Sequence, residues 1–351
     1  LSSLKYLFLL TLISCAKIGY LAEQGSGQLG LLSKARSNEL VLSDVRVSKA
    51  DKEKIKLIEE YKTFFYKYWQ KKETSIYSET TILQDEAVTY LVIVSKHNKI
   101  EALEECFPVM GCFPYLGFFQ KDSAKKYATE QEKKGLVTYI RPVYAYSTLG
   151  YFTDTILSSF FIFDEYELAD LIFHELFHTI FFVKDEVELN ENLADYFAKE
   201  MVLEYFKSDV ELKDKLRKKD LLSKSLSKQT VEFARAVNLK LTSDPAISKE
   251  DSSKLIDKLV EEKLRPKISQ VCSEFNVDDN KCYFLKRDWN QASLAAFMTY
   301  QNKVDKIKLL RSSTEGDLVH FFDYIENELK LYKNSDKKIS FSEWLFKSIN
   351  K

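Results

Sequence analysis

An α+β fold, with a small N-terminal sheet and a mostly helical C-terminal half, is what the sequence predicts, and three observations carry it. Short runs rich in β-branched and aromatic residues are confined to the first half: Ala87–Ser95, Tyr115–Phe119 and Leu136–Arg141. After Asp195 the apolar residues fall at three- and four-residue steps instead. The composition, with only 9 glycines and 5 prolines in 351 residues and many Lys, Glu and Leu, favours helix.

Taking the chain in order, Lys5 is followed by an apolar run from Tyr6 to Ile13 and then by Ser14 and Cys15. One cation, a short apolar stretch and a small residue make the layout of a secretory signal, too short to span a bilayer. Leu12-Ile13-Ser14-Cys15 also resembles the bacterial lipobox. The expectation is therefore a signal peptide over residues 1–14, cleaved before Cys15, and a lipid on Cys15 that anchors an exported protein to the membrane of a bacterial cell envelope. An ordinary signal peptide or a buried N-terminal helix is the alternative reading.

Residues 24–48 are helical by composition, and the segment Gly27–Leu32 within them has no role that the residues disclose. From Lys52 an amphipathic helix follows, with Ile55, Ile58, Tyr61, Phe65 and Tyr68 on one face. Ala87–Ser95 reads as a buried strand. A charged helix over Ser123–Lys134 separates the other two strands, so the order strand, strand, helix, strand argues for a small sheet.

The centre of the chain is His174-Glu175-Leu176-Phe177-His178. Asp164 and Glu167 have the spacing of a capping box, and Leu168, Leu171, Ile172, Leu176 and Ile180 recur at helical spacing behind it. On that helix His174 and His178 are one turn apart and share a face, so both imidazoles suit a single tetrahedral Zn²⁺. Glu175, beside the first ligand, is placed to act as general base on a metal-bound water. With 4 histidines in the chain, chance places such a motif in only about 1 in 250 sequences of this kind. A third ligand is expected from Asn190-Glu191-Asn192-Leu193-Ala194-Asp195, where Asn190 suits the N-cap of a second helix, Glu191 the metal, and Asp195, one turn on, the distal N–H of a ligand histidine.

These residues resemble the gluzincin metallopeptidases, whose ligands are the two histidines of HExxH and a glutamate on the next helix. Ala145–Asp154, Leu171–His178 and Asn190-Glu191 look more narrowly like a bacterial family called putative aminopeptidases, over about Gly27 to Leu331. The resemblance implies a zincin-like fold, one zinc ion per chain and a peptide substrate. By the same comparison Val143–Thr148, a tyrosine-rich stretch before the catalytic helix, borders the substrate as an added strand, with simple packing as the alternative. The gap between His178 and Glu191 is shorter than in the better known gluzincins, and nothing matches the upstream motif that holds a free amine in their aminopeptidases. Exopeptidase and endopeptidase therefore both stand.

Beyond Asp195, Ala194–Phe206 continue the ligand helix and Lys207–Lys228 reads as a charged helix or connector. Two helices, Thr230–Leu241 and Lys249–Leu264, are expected as a hairpin about Asp244-Pro245, and a long helix from Trp289 through Phe297, Tyr300, Val304 and Ile307. Residues 15–351 are expected to form a single metallopeptidase unit, its α+β part over about 24–206 and its helical part over about 207–351.

Apart from Cys15 the cysteines fall in two close pairs, Cys106 with Cys112 and Cys272 with Cys282, each suited to a local disulfide in an oxidising compartment. The charge balance, 52 basic against 53 acidic residues, gives no electrostatic case for nucleic acid. Tyr300 and His320 are candidate oxyanion donors, neither of them singled out, and His97 reads as an exposed loop residue. The function expected is a zinc-dependent peptidase. A zinc endopeptidase, or a surface lipoprotein whose zinc is only structural, is the competing reading.

Overall fold

The computed structural model describes residues 19–107, 111–145, 153–299, 304–336 and 339–348. Cys15 and the signal segment, residues 146–148 of the tyrosine-rich stretch, and Tyr300 lie outside the described residues.

Residues 19–33 form helix α1. Next come strand β1 (Arg36–Ser37) and helices α2 (Asn38–Ser43) and α3 (Lys49–Tyr68). The Ser37 and Ser48 side chains start these two helices by accepting the N–H of Leu40 and of Asp51. Helix α3 buries Ile55, Ile58, Tyr61 and Phe65, the face its periodicity predicts. Strands β2 (Glu79–Thr81), β3 (Thr89–Ser95), β4 (Glu105–Phe107), β5 (Gly111–Phe113) and β6 (Leu116–Phe118) lead to helix α4 (Lys121–Lys133) and strand β7 (Val137–Val143). Strand β8 (Ile156–Leu157) and a 3-10 turn over Ser158–Ile162 precede α5 (Glu165–Ile180). The described remainder is helical: α6 (Val187–Tyr205), α7 (Val210–Ser243), α8 (Lys249–Leu259), α9 (Arg265–Glu274), α10 (Gln291–Thr299), α11 (Val304–Ser312), α12 (Leu318–Lys333) and α13 (Phe341–Leu345).

The chain divides into two compact units, each assembled from separated segments. The first takes Leu1–Ser33, Ala87–Tyr144 and Val210–Gln301. Its sheet has the order β6-β3-β7, antiparallel throughout, with Tyr90 opposite Phe118 on one side and Pro142 on the other. Because alternate side chains of β3 point to opposite faces, Tyr90, Val92 and Val94 pack with Ala124 and Ala128 of α4, while Ile93 packs with Ala292 and Ala296 of α10. Alanine on both helices lets them approach the sheet closely. Gly27 of α1 meets Phe119 so closely that a Cβ there would lie 2.2 Å from the ring, which is the role the sequence left unassigned.

Disulfides join Cys106 to Cys112 across β4 and β5, and Cys272 of α9 to Cys282 in the following loop, as the pairing predicts. Strand β7 continues to Val143, which pairs with Thr89, so the start of the expected substrate strand belongs to this sheet. The expected break near Lys228 does not exist. Helix α7 runs unbroken over Val210–Ser243, since no glycine or proline interrupts it and Leu212, Leu226, Val231, Ala234, Val237 and Leu241 are all buried along it. The helix beyond Lys249 does not end at Leu264 either, because a π-helical turn over Val260–Leu264 carries the chain past Pro266 into α9.

The second unit takes Lys34–Glu86, Ala145–Asp209 and Asn302–Lys351. Its sheet has the order β1-β2-β8, with Thr80 opposite Arg36 in antiparallel pairing and opposite Ile156 in parallel pairing. These strands of two or three residues are too short to show a period of two, and the sequence reading missed them. An aromatic core holds the helices. Phe173 of α5 meets Phe65 of α3 at 6.2 Å, Phe177 stacks on Phe197 of α6 at 4.7 Å, and Phe322 of α12 meets Trp69 at 4.9 Å. Each fully buried ring contributes about 2–3 kcal/mol, so α5 is fixed on several sides by its apolar face. Among the described residues no helix is long and apolar enough to cross a membrane.

Candidate metal centre

Helix α5 begins as its sequence dictates. The Asp164 carboxylate accepts the N–H groups of Tyr166 and Glu167, and the Glu167 side chain returns to the Asp164 N–H, completing the capping box. Leu168, Ile172, Phe173, Leu176 and Phe177 are buried. His174 and His178 then leave the helix together, their Nε2 atoms 3.3 Å apart.

Helix α6 brings the third group. The Glu191 Oε2 lies 3.3 Å from His174 Nε2 and its Oε1 lies 3.5 Å from His178 Nε2. Two atoms each ~2.05 Å from a tetrahedral ion are ~3.3 Å apart, so these three separations match the edges of one nitrogen and oxygen tetrahedron. Asp195, one turn further along α6, takes the other ring nitrogen of His174 at 2.9 Å.

Asn190 does not cap α6. The helix begins at Val187, with Glu186 at its cap position, and Asn190 is buried inside it. Its side chain instead accepts the Val183 N–H at 2.9 Å and donates to the Val183 carbonyl at 2.8 Å. The connection from α5 is thus tied to the residue beside Glu191, and Asp185 within it takes the left-handed conformation, with φ of 64°.

The electrostatics of the group are uneven. Burial opposes a charge on His174, but hydrogen bonds to Asp195 and Glu191 outweigh it and hold that imidazole up at about 10. Burial and the neighbouring His174 charge hold His178 down at about 4. Glu175 is 7% exposed. Burial pushes its carboxyl up to about 7, against the pull of His174 and with the added repulsion of Glu191 and Asp154. Its Oε2 and the Nδ1 of His178 are buried without a hydrogen-bond partner. A desolvated carboxylate left without a donor is costly to keep, and the cost is intelligible where a proton has to be taken.

A family model described as putative aminopeptidase matches residues 19–339. The chain belongs to that family. No curated protein and no solved structure matches it. Membership makes this a peptidase family chain with peptide as the implied substrate.

Sequence reasoning missed two neighbours of Glu175. Tyr77 is buried with φ of 59°, its N–H donates to the Asp154 carbonyl at 2.8 Å, and its own carbonyl accepts from Asn38 Nδ2 at 2.9 Å. The hydroxyl is pushed well up by burial, with the charges of Glu175 and then Asp154 adding to it. An aromatic residue at positive φ belongs to no motif, so nothing in the sequence signals Tyr77. Asp154 stands inside the stretch that carries the family resemblance, but no role attached to it there.

The remaining histidines are not part of this centre. His97 is half-buried rather than an exposed loop residue: its ring bonds the Ile247 carbonyl at 3.1 Å and its own carbonyl accepts from Gln291. His320 is exposed, bonded through Nδ1 to Asp317, the cap of α12, at 2.7 Å.

Proposed function

We propose that the protein is a zinc-dependent peptidase, an aminopeptidase, in which His174, His178 and Glu191 hold one Zn²⁺. The observation that carries this reading is the mutual spacing of their three ligand atoms, 3.3 to 3.5 Å. Two imidazoles and one carboxylate are the ligand set of catalytic zinc, which leaves its fourth position to water or substrate. Bound there, the ion supplies a Lewis acid that acidifies water and polarises the scissile carbonyl.

The residues of the chain do the rest. Asp195 fixes the tautomer and orientation of His174, so that Nε2 presents its lone pair to the ligand position. Glu175 takes the proton of the attacking water and passes it to the leaving amine. Its elevated pKa suits both halves of that transfer, since a base poised near neutrality also serves as an acid. A purely structural site would have no use for Glu175, which favours an enzyme over a binding module. The two disulfides suit an exported protein, and a lipid on Cys15 would keep it at the membrane.

Zinc content and peptide hydrolysis measured on one preparation test the reading. One zinc per chain is expected, with cleavage lost to a chelator and restored by zinc. Absence of zinc from a folded, purified protein supplied with the ion would refute it.

A further inference from the structure

We propose that the first unit carries a carboxylate-binding site at Arg287, for a ligand whose carboxylate is borne on an apolar or aromatic body. The proposal goes beyond the peptidase reading and does not depend on it. Arg287, Tyr139, Trp289 and Phe297 all belong to this unit, and the candidate metal centre belongs to the other.

Arg287 differs from the other arginines in what surrounds it. Arg36 and Arg46 meet Asp44 at 2.8 and 2.7 Å, and Arg265 meets Glu261 at 2.6 Å. Arg311 gives its N–H groups to the carbonyls of Thr314 and Gly316 at 2.8 and 2.7 Å, and Arg217 and Arg235 are exposed to water. Arg287 is half-buried, yet among the described residues no carboxylate lies within ion-pair distance of it. Its hydrogen bond to the Tyr139 hydroxyl is long, at 3.5 Å from Nη2. A guanidinium has five N–H donors, so most of these are left for solvent or a ligand. A partly desolvated charge without a counter-ion is disfavoured, and an anionic ligand supplies what is missing.

What holds Arg287 in place is aromatic. Its guanidinium carbon lies 4.9 Å from the centre of the Trp289 ring, 5.7 Å from that of Tyr139 on β7 and 5.9 Å from that of Phe297 on α10. Such rings attract a cation through their negative faces. They fix the side chain without neutralising it. Trp289 is itself anchored, buried with its indole N–H on the Phe284 carbonyl at 3.3 Å. The loop that presents Arg287 is tied at both ends, by the disulfide from Cys282 to Cys272 of α9 and by the Asn290 side chain, which donates to the Thr138 carbonyl at 3.1 Å. Between these ties Arg265 donates to the Leu285 carbonyl, and the Lys286 N–H donates to the Tyr283 carbonyl at 3.2 Å. A cation ordered in advance loses little freedom when its ligand arrives.

The donors select the class of ligand. A planar guanidinium matches a carboxylate through two parallel charge-assisted hydrogen bonds. A phosphate dianion is better met by a cluster of cations, and these ring contacts gather a single one. Tyr139 and Phe297 are half-buried, so part of each ring stays open to the body of the ligand.

The NMR resonance of the Trp289 indole N–H, assigned by its loss in Trp289→Phe, reports binding at this place. Titration of the protein with N-acetylphenylalanine should shift it to saturation. N-acetylphenylalaninamide, which lacks the anion, should bind about 10-fold or more weakly. Arg287→Met should weaken the acid by the same factor and leave the amide unchanged. Arg287→Lys keeps the charge without the planar pair of donors and should fall between. Thermal unfolding shows whether each variant is folded, and the comparison of acid with amide needs no variant. Equal binding of acid and amide would leave only an apolar shelf and overturns the proposal. So does tighter binding of phenyl phosphate than of the acid, or acid binding unchanged in folded Arg287→Met. Repeating the titration with added zinc and again after chelation keeps the site apart from the candidate metal centre. Affinity should be the same in both, and binding that vanishes with the metal overturns the proposal. A resonance unmoved by about 10 mM acid also overturns it.

Discussion

His174 gives its Nδ1–H to the Asp195 carboxylate at 2.9 Å, across two helices, and thereby turns its Nε2 toward Glu191. Removing that acceptor frees the ring to rotate and to change tautomer. Asp195→Ala should lower zinc affinity about 10- to 100-fold, with Asp195→Asn between the two because its amide oxygen still accepts. Competition with a metallochromic chelator measures both. Unchanged affinity in Asp195→Ala would show that the pair has no part in metal binding.

In the proposed mechanism Glu175 serves the chemistry and not the metal. Glu175→Gln keeps the shape of the side chain but removes the proton acceptor, so peptide hydrolysis should fall about 10²- to 10⁴-fold while zinc content stays near one per chain. His174→Ala should lose the metal along with activity. Full activity in Glu175→Gln would remove the residue from the mechanism.

The pH dependence follows from the same carboxyl. In the metal-free protein burial holds Glu175 at about 7, above its ordinary 4.5. The folded state then binds the proton that the unfolded state has released. This contribution to stability is fully present below 4.5 and is lost as pH rises through 7. A dication at the ligand atoms favours the charged carboxylate and lowers its pKa. The ascending limb of kcat/KM against pH should therefore lie below 7 in the zinc-loaded enzyme. Carboxyl NMR titration of the metal-free protein, set beside the pH–rate profile, checks both signs.

Asn190 carries a structural prediction. Asn190→Ala orphans the buried N–H and carbonyl contacts at Val183 and should cost about 1–3 kcal/mol for each group left unsatisfied. Because Glu191 is the next residue, zinc affinity should fall with stability. Denaturant titration with and without zinc separates the two effects, and an unchanged midpoint would refute the role given to the hook.

Gly27 tests the packing of the other unit. A methyl group there would lie 2.2 Å from the Phe119 ring, so Gly27→Ala forces α1 away from the sheet and should destabilise by about 1–3 kcal/mol. Pairing it with Phe119→Ala should recover part of the steric component, a non-additivity that thermal unfolding reads directly.

The placement of the candidate site residues was more legible than the frame that holds them. His174, Glu175, His178, Glu191 and Asp195 sit on two helices at spacings the α-helical period converts into shared faces, and the capping box at Asp164 marks where the first begins. Asn190 misled because an asparagine near a helix start is read as a cap, whereas here its amide satisfies the preceding loop. The split of the chain into interleaved units left no trace in composition, since each unit draws on charged helices and aromatic residues alike. Tyr77 and Asp154 are brought together by a hydrogen bond between distant segments, which no local spacing encodes.

The shortness of the span from His174 to Glu191, tied off by Asn190, bears on how the centre is built as the chain folds. Closing a small loop costs little chain entropy, and the cost grows only with the logarithm of the loop length. His174, His178 and Glu191 belong to neighbouring helices joined by a hydrogen-bonded turn, so their convergence requires no pairing between distant parts of the sequence. Helical hairpins of this kind form early compared with sheets whose strands are far apart. These three side chains can therefore be brought together before β2 and β8 meet. The later event is the pairing that ties the Tyr77 N–H to the Asp154 carbonyl, between segments far apart in the chain.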